Sequence, residues 1–567
     1  MEEDRQRFLL FFAVSMVIMV GYPYFFGGHP EQPTAPATQV VQMDQQTPET
    51  AANPAVVPPP PRRSPALPQN KIECIRLESA GLSGVISSAG AKIEDVRLKK
   101  YRKNLGNAEN VQVFANRGGR YFGHTRWTTD DPHLTLPDEN SRWKADSTKL
   151  SEGSPVTLAW DNGDGLLFEK RISVDENYLI TIQDRVKNYG NRTVRLRLAA
   201  MVNREFEKKS EDSFSFYEGP IGYLDGKLEE VSYEDVAKKS RIEYSTRGGW
   251  FGITDKYWLV AFIPDQNLQQ SVSYRHASDG GRGTYSVESL DEAISLAPSQ
   301  EISRVNHLFT GAKEIKTLDM YEGKLRVKHF DMAIDFGCLY ILTKPLLYTL
   351  AYTKDLVGNM GLGIILITLL IKLLLLPLAN KSYRSMNRMK EIQPKIQALQ
   401  KRYADDKAKL GQEISAIYKK EAISPLGGCL PTLLQSPVLF ALYKVLYVSI
   451  EMRQAPFVGW IHDLSLPDPL LIFNLFGLIP IDLPGFLQVG IWPLLMGLTM
   501  FLQQKMSPSP PDQSQANVML LMPLMFTFMF AQLPSGLVIY WTFSNALGIM
   551  QQYAMMRADA RSGRKKS

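Results

Sequence analysis

Residues 360–378 read MGLGIILITLLIKLLLLPL. The run is apolar apart from Thr368 and Lys372, and its length matches the roughly 20 residues a helix needs to cross a bilayer. Four more apolar runs follow: Pro431–Val448, Phe486–Gln503, Val518–Leu533 and Leu537–Tyr553. Only Pro534, Ser535 and Gly536 separate the last two, which predicts a tight hairpin. Upstream, Phe8–Phe26 follows MEEDRQR. A cleaved signal peptide would carry a shorter apolar region and a small-x-small site. This run ends instead in GYPYFFGGHP, whose Tyr22, Tyr24, Phe25 and Phe26 suit a membrane interface. Residues 1–26 are therefore read as an uncleaved signal anchor, making six expected crossings.

Basic residues orient these spans, because cytoplasmic loops are enriched in Lys and Arg. The loop after the 360–378 run carries Lys381, Arg384, Arg388, Lys390, Lys395, Lys401, Arg402, Lys407, Lys409, Lys419 and Lys420. The tail carries Arg557, Arg561, Arg564, Lys565 and Lys566. The loop Glu451–Leu487 has only Arg453, against Glu451, Asp463, Asp468 and Asp482. Both termini and the basic loop are thus expected in the cytoplasm, with the acidic loop outside. Leu470–Pro484, LLIFNLFGLIPIDLP, is apolar but short and broken by Pro480. As a full span it would put the basic tail outside, so it is read as interfacial or re-entrant.

The remaining chain is of a different texture. Over all 567 residues 22% are charged and the formal net charge is +6, but most charge precedes Phe336. Residues 27–70 are rich in Pro, Gln, Thr and Ala and cannot bury enough apolar surface to fold, so they read as a linker. From 71 to 323, short alternating runs are punctuated by Gly, Asn and Asp. Ile172, Val174, Leu179, Ile182, Val186, Val194, Leu196 and Leu198 recur at strand spacing around the turn NYGN, which predicts one large β-sandwich. Residues 324–357 read as an amphipathic helix lying on the outer membrane surface. The organisation expected after it is a span at 358–379, a cytoplasmic hairpin at 380–425, four spans within 426–556 and a basic tail at 557–567.

Lys372 is the first candidate functional residue. It stands eight residues before Asn380, about 12 Å below the cytoplasmic end at helical rise. Such a residue faces a bundle interior or wet cavity, or its stem snorkels back to the surface; both readings stand. Thr368 is one helical turn away on the same face. Gln435 and Ser436 open the next span, Gln532 ends the fifth, and Tyr540, Thr542, Ser544 and Asn545 lie in the sixth. Each suits an ordinary interhelical hydrogen bond; together they point to a partly hydrated groove. No Asp or Glu sits at this depth in any span, so water or a transient acidic ligand would meet the Lys372 charge better than a structural ion pair.

In the cytoplasmic loop, Met389, Ile392, Ile396, Leu399 and Tyr403, then Leu410, Ile414 and Ile417, make a heptad-like stripe on two helices, with Pro394 a kink or a start. A basic hairpin of this kind suits anionic lipid headgroups, ribosomal RNA or an acidic partner, or is a solvated loop. Nine methionines in the last three spans suit either varied apolar contacts or lipid. Enzymatic motifs are missing: all seven histidines lie outside the spans, and HExxH, GxSxG and GxxxxGK[ST] do not occur. Asp161–Gly165, DNGDG, lacks calcium-loop ligand spacing and reads as a turn. Cys74, Cys338 and Cys429 form no CxxC pair and read as small apolar fillers. No cofactor or metal is expected.

PKIQALQKRYADDKAKLGQEISAIYKKEAISPLGGCLPTLLQSPVLFALYKVL, residues 394–446, closely resembles the YidC membrane-protein insertases. So do RQAPFVGWIHDLSLPDP from Arg453, QKMSP from Gln504 and LPSGLVIYWTFSNALGIMQQ from Leu533. The match covers the C-terminal half in order, and the anchor, linker and outer β-domain are similar to the Gram-negative branch. The resemblance implies a fold of six transmembrane helices, five forming the insertase core, with a periplasmic all-β supersandwich and a cytoplasmic helical hairpin. It implies an inner-membrane insertase and chaperone with a groove open to cytoplasm and lipid but closed outside. Lys372 takes the place of a positive groove residue that is usually Arg; a lysine, unlike arginine, can give up its proton when buried. Thr368 and Tyr540–Trp541 match client-contacting positions, with Trp541 where the family often has Tyr. Nascent membrane proteins, the Sec translocon, ribosomes reached through the hairpin and basic tail, and anionic lipids are the implied partners. A transporter or channel, or a periplasmic sugar-binding receptor, are the alternatives; the former would show internal repeats or midplane carboxylates, and neither is found.

Overall fold

The computed structural model describes residues 74–564 except 107, 115–120, 207–215, 280–281, 404–405, 422–429, 482 and 508–512. The expected anchor at 1–26 and linker at 27–70 lie outside the described residues. The alternating pattern does build a sandwich. In the strand Leu179–Asn188, Ile180, Ile182, Asp184, Val186 and Asn188 all turn inward. This strand pairs antiparallel with Leu166–Val174 on one side and Glu301–Ala312 on the other, in a nine-stranded sheet. The facing eleven-stranded sheet is centred on Val194–Phe206, flanked by Tyr121–Thr128 and Arg282–Asp291. A buried ion pair ties the layers: Lys170 Nζ sits 2.8 Å from Asp184, which accepts a 2.6 Å hydrogen bond from the Thr125 hydroxyl of the facing sheet. Asp161–Gly165 turns between adjacent strands, the Asp161 carboxylate accepting from Gly163 N–H at 2.8 Å. Cys74 is exposed at the first strand's start, so it is not a buried filler.

Two helices depart from an all-β unit. α1 (Tyr233–Lys239) starts where the Ser232 hydroxyl accepts from Asp235 N–H, a capping arrangement that stabilises even a short helix. α2 (Ile315–Leu325) ends as Arg326 takes a left-handed conformation, φ 53°. The surface helix expected over 324–357 is therefore not one element. Val327, Phe330, Ala333, Ile334 and Phe336 are buried, and Phe330 meets the rings of Trp250 and Phe309 edge-on. Those apolar residues fill core rather than face lipid, and the helix proper is α3 (Tyr340–Val357).

Downstream the chain is helical: α4 (Met360–Arg402), α5 (Lys407–Lys420), α6 (Leu430–Val448), α7 (Ile491–Met506), α8 (Gln513–Phe530) and α9 (Ser535–Arg564). The Asn359 side chain caps α4, accepting from Leu362 N–H at 3.0 Å. α4 runs straight through the boundary expected at 379–380 and through Pro377 and Pro394. Its 43 residues span about 65 Å, roughly twice a hydrocarbon core, so one helix supplies both the apolar segment and the first arm of the hairpin. α5 folds back on it, with Ile392 and Ile396 packed against Ile414, Ile417 and Tyr418. Pro394 neither starts nor ends that arm, because helical residues flank it on both sides. The segment expected to begin at Phe486 becomes helical only at Ile491, since a 3-10 turn and a bridge between Leu471 and Gly490 occupy the residues before it. Among the described residues α4 is the one helix long and apolar enough to cross a membrane by itself; Ser436–Val448 and Asn517–Phe530 are shorter apolar stretches.

Candidate functional site

The helices pack as neighbours, α6 on both α4 and α9, α4 on α9, α9 on α7 and α7 on α8, with α3 covering α4 and α6. No comparable packing joins α6 to α8 among the described residues. Small residues set the close approaches within the helical unit. A Cβ on Gly536 would strike Met452 Cε and meet Ile364 at 3.4 Å, and one on Gly497 would strike the Thr527 hydroxyl.

α9 carries polar side chains on two faces. At steps of three or four from Gly536 lie the buried Tyr540 and Ser544, then Gly548 between Gln503 of α7 and the Tyr383 hydroxyl of α4, then Gln551, which donates to Asn380 Oδ1 of α4 at 2.9 Å. Toward α7, Asn545 donates to Thr499 Oγ1 at 3.3 Å, and Gln552 to the Met506 carbonyl at 2.9 Å. Trp541 turns to α8, its ring 4.6 Å from Phe530. Thr368 is 1% exposed, and its hydroxyl is satisfied by the Ile364 carbonyl at 2.6 Å. Lys372, one turn on, is half-buried. Ser436 is half-buried on α6, and Gln435 belongs to the same helix. Thr368 and Lys372 thus lie on α4 and Tyr540 on α9, whereas Trp541 and Asn545 are engaged by α8 and α7. Sequence reasoning passed over Thr499, Asn380, Gln551 and Gln552. The seven-residue step from Asn545 to Gln552 is the signal that marked a polar face.

The outer end is shut. The Leu466 carbonyl accepts from Ser535 N–H at 2.8 Å and from its hydroxyl at 2.5 Å, and the Leu464 carbonyl accepts from Gly536 N–H at 3.0 Å. Asp468, 3% exposed, takes hydrogen bonds from Trp460 Nε1 at 2.9 Å, Leu470 N–H at 3.0 Å and Trp492 N–H at 2.8 Å. Trp492 then bridges Phe457, Trp460 and Phe543, so aromatic rings cap the ends of α4, α7 and α9.

Above this cap sits the β unit. Lys444 of α6 pairs with Asp335 at 2.7 Å, and Tyr217 N–H donates to the same carboxylate oxygen at 3.0 Å. Nearby, burial with Asp335 alongside pushes the Glu230 carboxyl up to about 7. Lys256 lies 3.9 Å from the Tyr447 ring centroid, and burial lowers its pKa to about 8. Arg453 and Gln454 donate to the Lys103 and Arg102 carbonyls at 2.8 and 2.9 Å. Lys444 was another residue the sequence reading missed, since its partner lies 109 positions away.

A large sandwich docked on a set of apolar helices that carry buried polar side chains defines an integral membrane protein with a bulky domain on one surface. The family model described as 60Kd inner membrane protein matches residues 352–562, and the one described as YidC periplasmic domain matches 74–349. The chain is 46% identical over 489 residues to the membrane protein insertase YidC of Rickettsia massiliae, covering 86% of this chain and 87% of that one. It is 45% identical to that of Rickettsia bellii, again over 489 residues, 86% of this chain and 88% of the relative. The chain belongs to the YidC family of membrane protein insertases. It is an inner-membrane protein with a periplasmic domain.

Proposed function

We propose that this insertase admits a client's polar segment from the cytoplasm between α6 and α8 while the outer end stays closed. The observation that carries the reading is the seal made by Ser535, Gly536 and Asp468 at one end, beside α6 and α8, which do not pack on each other among the described residues. A polar segment that enters partway crosses a shorter stretch of hydrocarbon, which reduces the cost of burying its charges. Lys372 supplies positive charge for acidic residues of the client, Thr368 and Tyr540 flank it, and Gln435, Ser436, Trp541 and Asn545 complete the contact surface. Six spans, with both termini cytoplasmic, place the basic hairpin and tail where ribosomes and anionic lipids can meet them and leave the lipid-facing opening for a translocon.

Proteoliposomes containing only this protein and a short client with an acidic outer segment test the reading. Wild type and Lys372→Arg are expected to insert the client, and Lys372→Ala to lose at least tenfold. Equal insertion by all three removes Lys372 from the mechanism. No insertion by folded wild type overturns autonomous insertase activity.

A further inference from the structure

Between Asp468 and Lys505 the only charged residue is Asp482. This stretch leaves the outer cap as a tongue with a pinned stem. Ile472 N–H donates to the Val489 carbonyl at 3.0 Å, Leu471 bridges Gly490, and Asp468 holds both Leu470 and Trp492. Gly490 permits that closure, because a Cβ there would lie 2.5 Å from the Asp468 side chain. Beyond the stem the apolar side chains turn outward: Leu478 is 81% exposed, Phe476 and Leu475 52% each, and Phe473, Ile479 and Ile481 are exposed as well.

Most of the tongue's amides are paired within the loop. Phe476 N–H donates to the Leu471 carbonyl at 2.8 Å, Ile479 N–H to the Asn474 carbonyl at 3.1 Å, and Gly477 N–H to the Asn474 side chain at 2.9 Å. Leu475 and Phe476 both hold left-handed conformations, φ 50° and 61°, which bulky residues rarely adopt. Past the stem, α7 carries a second exposed apolar row, Leu494, Leu495, Leu498 and Leu502, with Asp482 the one charged residue in between. A water-facing loop gains nothing from such a surface; a loop at a lipid boundary needs both outward apolar side chains and internally paired amides.

We propose that residues 473–481 form a lipid-inserting tongue, seated in the outer leaflet beside α7 and fixing the depth of its outer end. The proposal rests on the membrane orientation given above. The occupant of this surface is lipid, because the stem leads directly into the exposed leucine row of α7 and most of the tongue's amides are already paired within the loop.

The test uses the full chain in proteoliposomes, with Cys74, Cys338 and Cys429 changed to Ser and one nitroxide label at a time. Labels go on Phe476→Cys, Leu478→Cys, Leu498→Cys in α7 and Glu139→Cys on the β unit. Collision with oxygen, which partitions into lipid, is compared with collision with a water-soluble nickel chelate. Expected is oxygen-dominated collision at 476, 478 and 498 and chelate-dominated collision at 139. Chelate-dominated collision at 476 and 478 while 498 reports lipid overturns the tongue and leaves the orientation standing. Shielding of 476 and 478 from both reagents also overturns it, since protein would then cover the surface. Chelate-dominated collision at 498 is failure of the membrane reading itself.

Discussion

Lys444 Nζ lies 2.7 Å from Asp335 Oδ2, joining α6 of the membrane unit to the periplasmic sandwich through a pair with side chains only about one-fifth exposed. α6 also carries Gln435 and Ser436, so the outer domain grips a helix that borders the proposed opening. Lys444→Met leaves the Asp335 carboxylate with the Tyr217 amide but without its cation. A loss of about 1–3 kcal/mol is expected, the usual cost of orphaning a partly buried charged group. A double-mutant cycle with Asp335→Asn, read by thermal unfolding in detergent, should show the pair costing less than the sum of the two single changes.

The same junction should respond to pH through Glu230. Its folded pKa of about 7 lies above an ordinary glutamate, so the folded state binds more protons than the unfolded one between roughly pH 4.5 and 7. Stability contributed here is therefore greatest at low pH and falls as pH rises through that window. Glu230→Gln removes the titration. Its Tm should match wild type near pH 5 and exceed it by pH 8, and equal Tm differences at both pH values would count against a buried, raised carboxyl.

Asp468 organises the outer seal by accepting from Trp460, Leu470 and Trp492 together. Asp468→Ala strands two backbone amides and an indole N–H, at a cost of about 1–3 kcal/mol for each that stays buried. Gly490→Ala should be destabilising through a clash with the same side chain. Hydrogen exchange over 460–492 should accelerate in both variants, while exchange in the sandwich stays unchanged.

The cytoplasmic hairpin rests on a small apolar seam. Ile396→Asp places a carboxylate among Ile392, Ile414, Ile417 and Tyr418, and burying an unpaired charge there is prohibitive. α5 should detach from α4, seen as faster tryptic cleavage at Lys407 and Lys409. The helices from α6 onward should keep their melting behaviour, because the seam does not extend into them.

Membrane residence, the β character of the outer domain and the pairing of α4 with α5 were all legible in residues read along the chain. Apolar runs such as 360–378 add their preference for hydrocarbon residue by residue, and the alternation through Ile180, Ile182 and Val186 sets which strand face is buried; neither needs knowledge of distant partners. Thr368, Lys372 and Tyr540 stood out for the same reason, as polar groups in apolar runs. Tertiary structure alone decided that α4 continues through Pro377 and Pro394, that 327–336 fills core, that Lys444 finds Asp335, and that the tongue at 473–481 turns its leucines outward. Those outcomes depend on packing between residues far apart in sequence: a lysine at a helix end or an apolar loop has no partner until the sandwich and the helices have docked.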